Sequence, residues 1–344
     1  MRSHRHSAGL LQPGDVVEVR PAAEILATLD GAATLDGLPF MPEMLPFIGK
    51  RFTVSRRVDS ICDTLDYGGM RRMRGTVFLE DLRCDGSAHG GCQAECRLYW
   101  KEAWLVRVGA PPAPDHASRQ DGFDALERRA HSNTVRNDSH AAEGEVFKCQ
   151  ATEAQRATEA IPPSQKSLRY LRELSSRNIS LRLFLSVMSR AIVWKIGAQL
   201  GLNVGTRQRA PSTKPVAGGD RTAPLGLQPG EWVEVRSAEE IGRTLNAQRR
   251  HRGLAFTPNE MLPACGKKFR VRRRIDRLID EKTGRMLKMK NECIALEGLI
   301  CTGEHSTGRW FCPRGIYPYW REVWLKRVES AAPAVTHDTV ERIG

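Results

Sequence analysis

Leu11-Gln12-Pro13-Gly14-Asp15-Val16-Val17-Glu18-Val19-Arg20 returns as Leu227-Gln228-Pro229-Gly230-Glu231-Trp232-Val233-Glu234-Val235-Arg236. This recurrence decides the fold, because a module that appears twice fixes the architecture before any element is assigned. In both stretches two valines alternate with Glu and Arg behind a Pro-Gly turn, the period-2 pattern of a half-buried strand. Working outward, the copies share Glu-Met-Leu-Pro at 43–46 and 260–263 and Tyr-Trp-x-Glu-x-Trp-Leu at 99–105 and 319–325. They also share a cysteine pair, Cys84 with Cys92 and Cys301 with Cys312, each with a histidine between. The few insertions fall near Asn259 and between His305 and Cys312, where loops are expected.

Each module continues in the same order. A short helix is expected over 22–29 and 237–245, with Ser237 as N-cap, and a second strand over 50–54 and 268–271. Further strands are expected at 76–82 and 294–300, with a closing strand at 104–108 and 324–328. Four or five short strands in about 100 residues suit a small, strongly bent barrel. The expected fold class is therefore mainly β with a helical insert, as two tandem SH3-like small β-barrel modules.

The expected divisions are a first Cys/His module over 1–108, a flexible linker over 109–144, a helical insert over 145–204 and a second linker over 205–224. A second, basic module follows over 225–329, and a tail over 330–344. The linkers are read from their Pro, Ala, Ser and charge content. Ser180 is a good cap for a helix through Leu202 that is apolar on most sides and so wants burial. As a membrane span that helix would carry Arg182, Arg190 and Lys195, each costing about 2.5–3.5 kcal/mol near the bilayer centre, which argues against crossing. Docking on the modules or a second chain, or lying at a membrane surface through 181–202, stays open.

At 40% apolar and 27% charged residues the composition is that of a globular chain. Met1-Arg2-Ser3-His4-Arg5-His6 leads into no apolar core, so a cytoplasmic protein is expected, peripheral to the membrane if 181–202 lies at an interface. In that setting nine cysteines point to metal more than to disulfides.

Cys84, His89, Cys92 and Cys96 lie within 13 residues among glycines that let the backbone turn tightly. Thiolates and imidazole are the donors of tetrahedral zinc, and a Cys₃His set closes its shell and is structural. An iron–sulfur centre draws on the same thiols. Cys62 could substitute for His89 or Cys96. The second copy keeps Cys301, His305 and Cys312, but Ile316 replaces Cys96 and Ile279 replaces Cys62. Its fourth position is open to water, Cys293 or Glu304.

The net charge of +13 is concentrated in the second module: residues 225–329 hold 21 Lys+Arg against 13 Asp+Glu, whereas 1–108 hold 14 of each. If extended, 268–274 puts Lys268, Arg270, Arg272 and Arg274 on one face, an anion-binding candidate for nucleic acid or another polyanion. The shared Trp-x-Glu-x-Trp reads either as a cation-binding aromatic cage or as core tryptophans with the Glu paired to Arg56 or Arg57.

Leu-Pro-Phe-Met-Pro-Glu-Met-Leu (38–45), Cys-Asp-Gly-x-Ala-His-Gly-Gly-Cys-Gln-Ala (84–94) and Trp-Lys-Glu-Ala-Trp-Leu (100–105) resemble segments of an uncharacterised family of bacterial proteins with tandem Cys/His-containing modules. Phe-Cys-Pro-Arg (311–314) and Tyr-Pro-Tyr-Trp-Arg-Glu (317–322) resemble it too. The resemblance implies no activity, cofactor or functional residue. Three functions stay open: a zinc-stabilised, non-enzymatic interaction or accessory protein with a protein partner; a nucleic-acid binder using the basic module; and a metal- or thiol-dependent enzyme using Cys301, His305 and Cys312.

Overall fold

The computed structural model describes residues 10–66, 69–109, 122–136, 145–199, 224–304 and 308–328. Its main elements are β1 (Val16–Val19), α1 (Ala22–Thr28), β2 (Arg51–Arg57), β3 (Ser60–Cys62), β4 (Met70–Arg72), β5 (Thr76–Arg83), β6 (Arg97–Lys101) and β7 (Leu105–Arg107). Then come α2 (Phe123–Ser132), β8 (Glu159–Ala160), α3 (Leu168–Ser175) and α4 (Leu181–Gln199). The second repeat supplies β9 (Trp232–Val235), α5 (Ala238–Thr244), β10 (Lys268–Arg274), β11 (Arg277–Ile279), β12 (Met286–Lys288), β13 (Ile294–Leu296) and β14 (Leu325–Arg327). The described chain is mostly β, in curled antiparallel sheets with few helices.

The residues pack as two compact units that do not follow the repeat boundary. One holds the described residues within Met1–Gln208, Ile275–Lys290 and Ile300–Pro318; the other holds the described residues within Arg209–Arg274, Asn291–Leu299 and Tyr319–Gly344. The second repeat therefore places its hairpin β11–β12 and its cysteine loop in the first unit.

In the first unit the sheet order is β6-β5-β2-β1-β7, every neighbour antiparallel. Val17 and Val19 are fully buried where the sequence alternates, and they meet Phe40, Val54, Trp100 and Trp104 in one core. The second unit repeats the plan as β13-β10-β9-β14. Register is kept as well: Val17 faces Phe52, and Val233 faces Phe269. Both copies carry a bulge at one place, between Val54 and Arg56 and between Val271 and Arg273. A bulge adds one residue to a strand and so reverses which side the following residues face.

Trp100, Trp104, Trp320 and Trp324 are completely buried. Trp104 Nε1 donates to Thr28 Oγ1 at 3.0 Å and Trp324 Nε1 to Thr244 Oγ1 at 2.9 Å, tying the closing segment of each copy to its short helix. The glutamates between them are latches. Glu102 accepts the Leu11 amide at 2.9 Å and Arg57 Nη1 at 2.5 Å; Glu322 accepts the Leu227 amide at 3.0 Å and Arg274 Nη1 at 2.5 Å. The rings thus fill cores and form no exposed cage.

Two expectations for the middle of the chain are corrected. Within the stretch expected as linker, 122–136 contains α2, whose Leu126 and Ala130, four residues apart, are buried in the first core. The α4 helix begins as read, with Ser180 Oγ accepting the Leu183 amide at 3.2 Å, but it is not buried on most sides. Val187 is enclosed and Phe184 stacks on Phe311, whereas Leu181, Leu185, Ile192 and Ile196 are half or more exposed. Among the described residues no helix is long and apolar enough to cross a membrane.

Candidate metal centre

The loop from Cys84 to Cys96 joins β5 to β6 and is closed at its neck by the Cys84 amide, which donates to the Cys96 carbonyl at 2.8 Å. Gly86 lets it turn: its φ is +74°, and a Cβ there would lie 2.1 Å from the Cys92 carbonyl oxygen. The amides of His89 and Gly91 both return to the Gly86 carbonyl. That turn drives the His89 ring inward until the residue is 2% exposed.

His89 is gripped from both sides. Its Nε2 lies 3.5 Å from Cys84 Sγ, and the Cys92 thiol is near enough to act on the ring. Its Nδ1 lies 2.8 Å from Glu43 Oε1, which also accepts the Ala88 amide at 3.1 Å. Glu43 is buried, and its second oxygen, Oε2, has no hydrogen-bond partner. Ligand atoms of Glu43, Cys84 and His89 all fall within 4.8 Å of one another, so this group could hold a metal ion.

The electrostatics mark one coupled cluster. Burial opposes a charged imidazole, but the contacts with Cys84, Cys92 and Glu43 outweigh it and hold His89 far above its usual range. Burial likewise pushes the Glu43 carboxyl up, and the His89 contacts more than reverse this. Cys84 stays raised because burial dominates; at Cys92 burial is outweighed by His89 and by the amides of Ala94 and Ile279, so its thiol is lowered. A buried thiolate–imidazole–carboxylate set is costly without a cation to balance it.

Cys149 belongs to the same cluster. It lines a cavity of about 40 Å³ with Cys84, His89, Cys92 and Cys96, room for an ion. Gln150 pins it there: the Gln150 side chain accepts the Tyr99 amide at 2.8 Å and donates to the Tyr99 carbonyl at 2.9 Å, satisfying β6 as a neighbouring strand would. The Cys149 thiol is raised by burial and lies in the field of His89 and Cys84. Cys96 is partly buried, and its thiol is raised first by burial and then by Glu281.

The sequence-predicted residues therefore divide. Cys84, His89 and Cys92 converge, and Cys96 lines the same cavity. Cys62 does not join them: its amide donates to Cys312 Sγ at 3.3 Å and the two side chains pack in one buried cluster. Burial opposes the Cys312 thiolate, but Cys62, the Arg314 amide and the Arg314 charge outweigh it and lower the thiol; Cys62 is raised by its bond to Cys312 and by burial. Cys301 is half-buried at the neck of the second loop, its amide bonded to the Ile316 carbonyl at 2.8 Å. His305 lies outside the described residues. Cys293 is buried and belongs to the other unit. Glu43 and Cys149 were not among the residues the sequence reading put forward for this site; the shared Glu-Met-Leu-Pro and the cysteine opening the insert were the only signals.

The cationic row is broken by the bulge. Lys268, Arg270 and Arg272 are exposed, but Arg274 turns to Glu322 and the Leu227 carbonyl. No family model, curated protein or solved structure matches the chain.

Proposed function

We propose that the chain is a non-enzymatic accessory protein of two tandem SH3-like barrels, the first unit of which is fastened by zinc. The ligands are Cys84, His89, Cys92 and Cys149. The observation that carries this is the surround of His89: the Cys84 thiol at Nε2 and the Glu43 carboxylate 2.8 Å from Nδ1, the pattern in which an outer carboxylate orients a metal-binding imidazole. Three thiolates and one imidazole complete a tetrahedral shell, which suits zinc in a structural role and leaves no position for substrate. Iron–sulfur chemistry is less well served, because one donor is a histidine held by a carboxylate.

Zinc held this way fastens two separate pieces of the unit to each other, the 84–96 loop and the start of the insert. The adjoining insert then presents Leu181, Leu185, Ile192 and Ile196 as an apolar stripe of the kind an accessory protein offers a protein partner. Zinc analysis after reducing, chelator-free purification tests the proposal; metal-free protein with an intact fold would refute it.

A second reading, polyanion binding, is favoured by the exposed Lys268, Arg270 and Arg272 on β10. Retention on immobilised nucleic acid that falls steeply with salt supports it, and salt-insensitive or absent retention removes it.

A further inference from the structure

We propose a second thiolate metal site, formed by Cys62, Cys301 and Cys312 and therefore built from both repeats. Its first support is that the second cysteine loop, where described, repeats the first at its neck and at its turning glycine. Each neck is closed by a 2.8 Å bond, Cys84 amide to Cys96 carbonyl and Cys301 amide to Ile316 carbonyl. Gly86 and Gly303 have φ of +74° and +72°, and a Cβ on either would lie 2.7 Å from the amide nitrogen of Cys92 or Cys312. Cys301 and Cys312 thus occupy the places in their loop that Cys84 and Cys92 occupy in theirs.

The third sulfur comes from an exchange of hairpins. The β11–β12 hairpin of the second repeat lies on the first loop, where the Ile279 amide donates to Cys92 Sγ at 3.4 Å. The β3–β4 hairpin of the first repeat lies on the second loop, where the Cys62 amide donates to Cys312 Sγ at 3.3 Å. Equivalent residues of the two hairpins also meet, Thr64 Oγ1 donating to Glu281 Oε2. Cys62 and Ile279 hold equivalent positions, so the same contact ends in a thiol on one side and a methyl group on the other.

The fourth ligand missing from the second copy is thereby replaced by a cysteine of the first copy. The Cys62 and Cys312 side chains already pack together in one buried cluster with Met70 and Ile161. The buried Arg314 guanidinium, held by Thr64 Oγ1 at 2.9 Å and Glu281 Oε1 at 2.7 Å, supplies positive charge beside them. Three thiolates leave a divalent ion with net negative charge, which such a cation offsets. The ligand class is a thiophilic divalent metal, with zinc the expected occupant. The equivalence of the two loops assigns Cys301 as the third donor, which would distinguish the arrangement from a simple disulfide pair.

The test is the zinc content of full-length protein purified under reducing, chelator-free conditions, for the wild type, Cys62→Ile, Cys62→His and Cys301→Ser. Isoleucine is the residue the equivalent hairpin carries at 279, so the fold has already accommodated it once. The expected result is two zinc ions per wild-type chain, loss of one in Cys62→Ile and Cys301→Ser, and retention in Cys62→His, which restores a donor. Unchanged zinc in Cys62→Ile, or a 62–312 disulfide in peptide maps of the native protein, overturns the proposal. Should Cys62→Ile fail to fold, sulfur counting by X-ray absorption on the wild type decides: one zinc with fewer than three sulfurs per site refutes it. The first site fails separately, since Cys84→Ser would then release no zinc while Cys62→Ile still released one.

Discussion

Cys62 and Cys312, 250 residues apart, are joined by a 3.3 Å bond from the amide of one to the sulfur of the other. Ile279 and Cys92 repeat the relationship at 3.4 Å. Each repeat thus lays its hairpin against the cysteine loop of the other, within a single compact unit. Duplication with exchanged hairpins explains why the first unit contains pieces of both copies. It also explains how two loops of one ancestry came to have different thiol surroundings.

The latch between the last and first strands of the second copy should be strong. Glu322 is 1% exposed and accepts the Gly226 and Leu227 amides as well as Arg274. Replacing it with alanine leaves two amides and a partly buried guanidinium without their acceptor. We predict a loss of about 2–3 kcal/mol in urea denaturation, below the value for fully buried pairs because Arg274 keeps some access to water. A loss under 0.5 kcal/mol would show that the latch is incidental.

What the sequence revealed depended on how local the cause was. The strand at Val17 and Val19 and the cap at Ser237 follow from residues within a few positions, and both appear as read. The cation row was misread at Arg274 because a bulge, set by packing against β13, is invisible to strict alternation. Cys149 was not read as part of the site because 53 residues separate it from Cys96, and packing in the first core together with the Gln150 side chain on Tyr99 and Pro39 brings it back. The hairpin exchange could not be read at all: equivalent hairpins have the same pattern, so periodicity cannot say which copy a loop receives.

Gly86 should be irreplaceable where Gly14 is not. Both have positive φ, but nothing lies within 4 Å of a Cβ at Gly14, whereas Gly86 meets the Cys92 carbonyl. Gly14→Ala is expected to cost about 1–2 kcal/mol for the left-handed backbone alone and to keep its zinc. Gly86→Ala should cost more and lose one zinc equivalent. Equal thermal shifts and equal zinc in the two variants would contradict this.

Glu240 gives a pH signature in the second unit. Its carboxylate accepts the Ser237 amide at 2.9 Å in a capping box, and this bond, the Ser237 hydroxyl and Lys326 hold its pKa at about 2, down from 4.5. The folded pKa is depressed, so the contribution to stability is full above about 4.5 and disappears as pH falls towards 2. Carboxyl NMR titration should show a midpoint near 2 for Glu240, and Glu240→Gln should remove stability at pH 7 but little at pH 2. A midpoint at 4.5 would remove the argument.

The central claim is that Cys149, from the insert, completes a zinc site with Cys84, His89 and Cys92. Its most direct measurement is the zinc content of Cys149→Ser beside the wild type, both purified under reducing conditions without chelators and both verified as folded. We expect the variant to hold one zinc equivalent fewer than the wild type. Identical zinc content in the two proteins, or folded wild type without zinc, would contradict the claim.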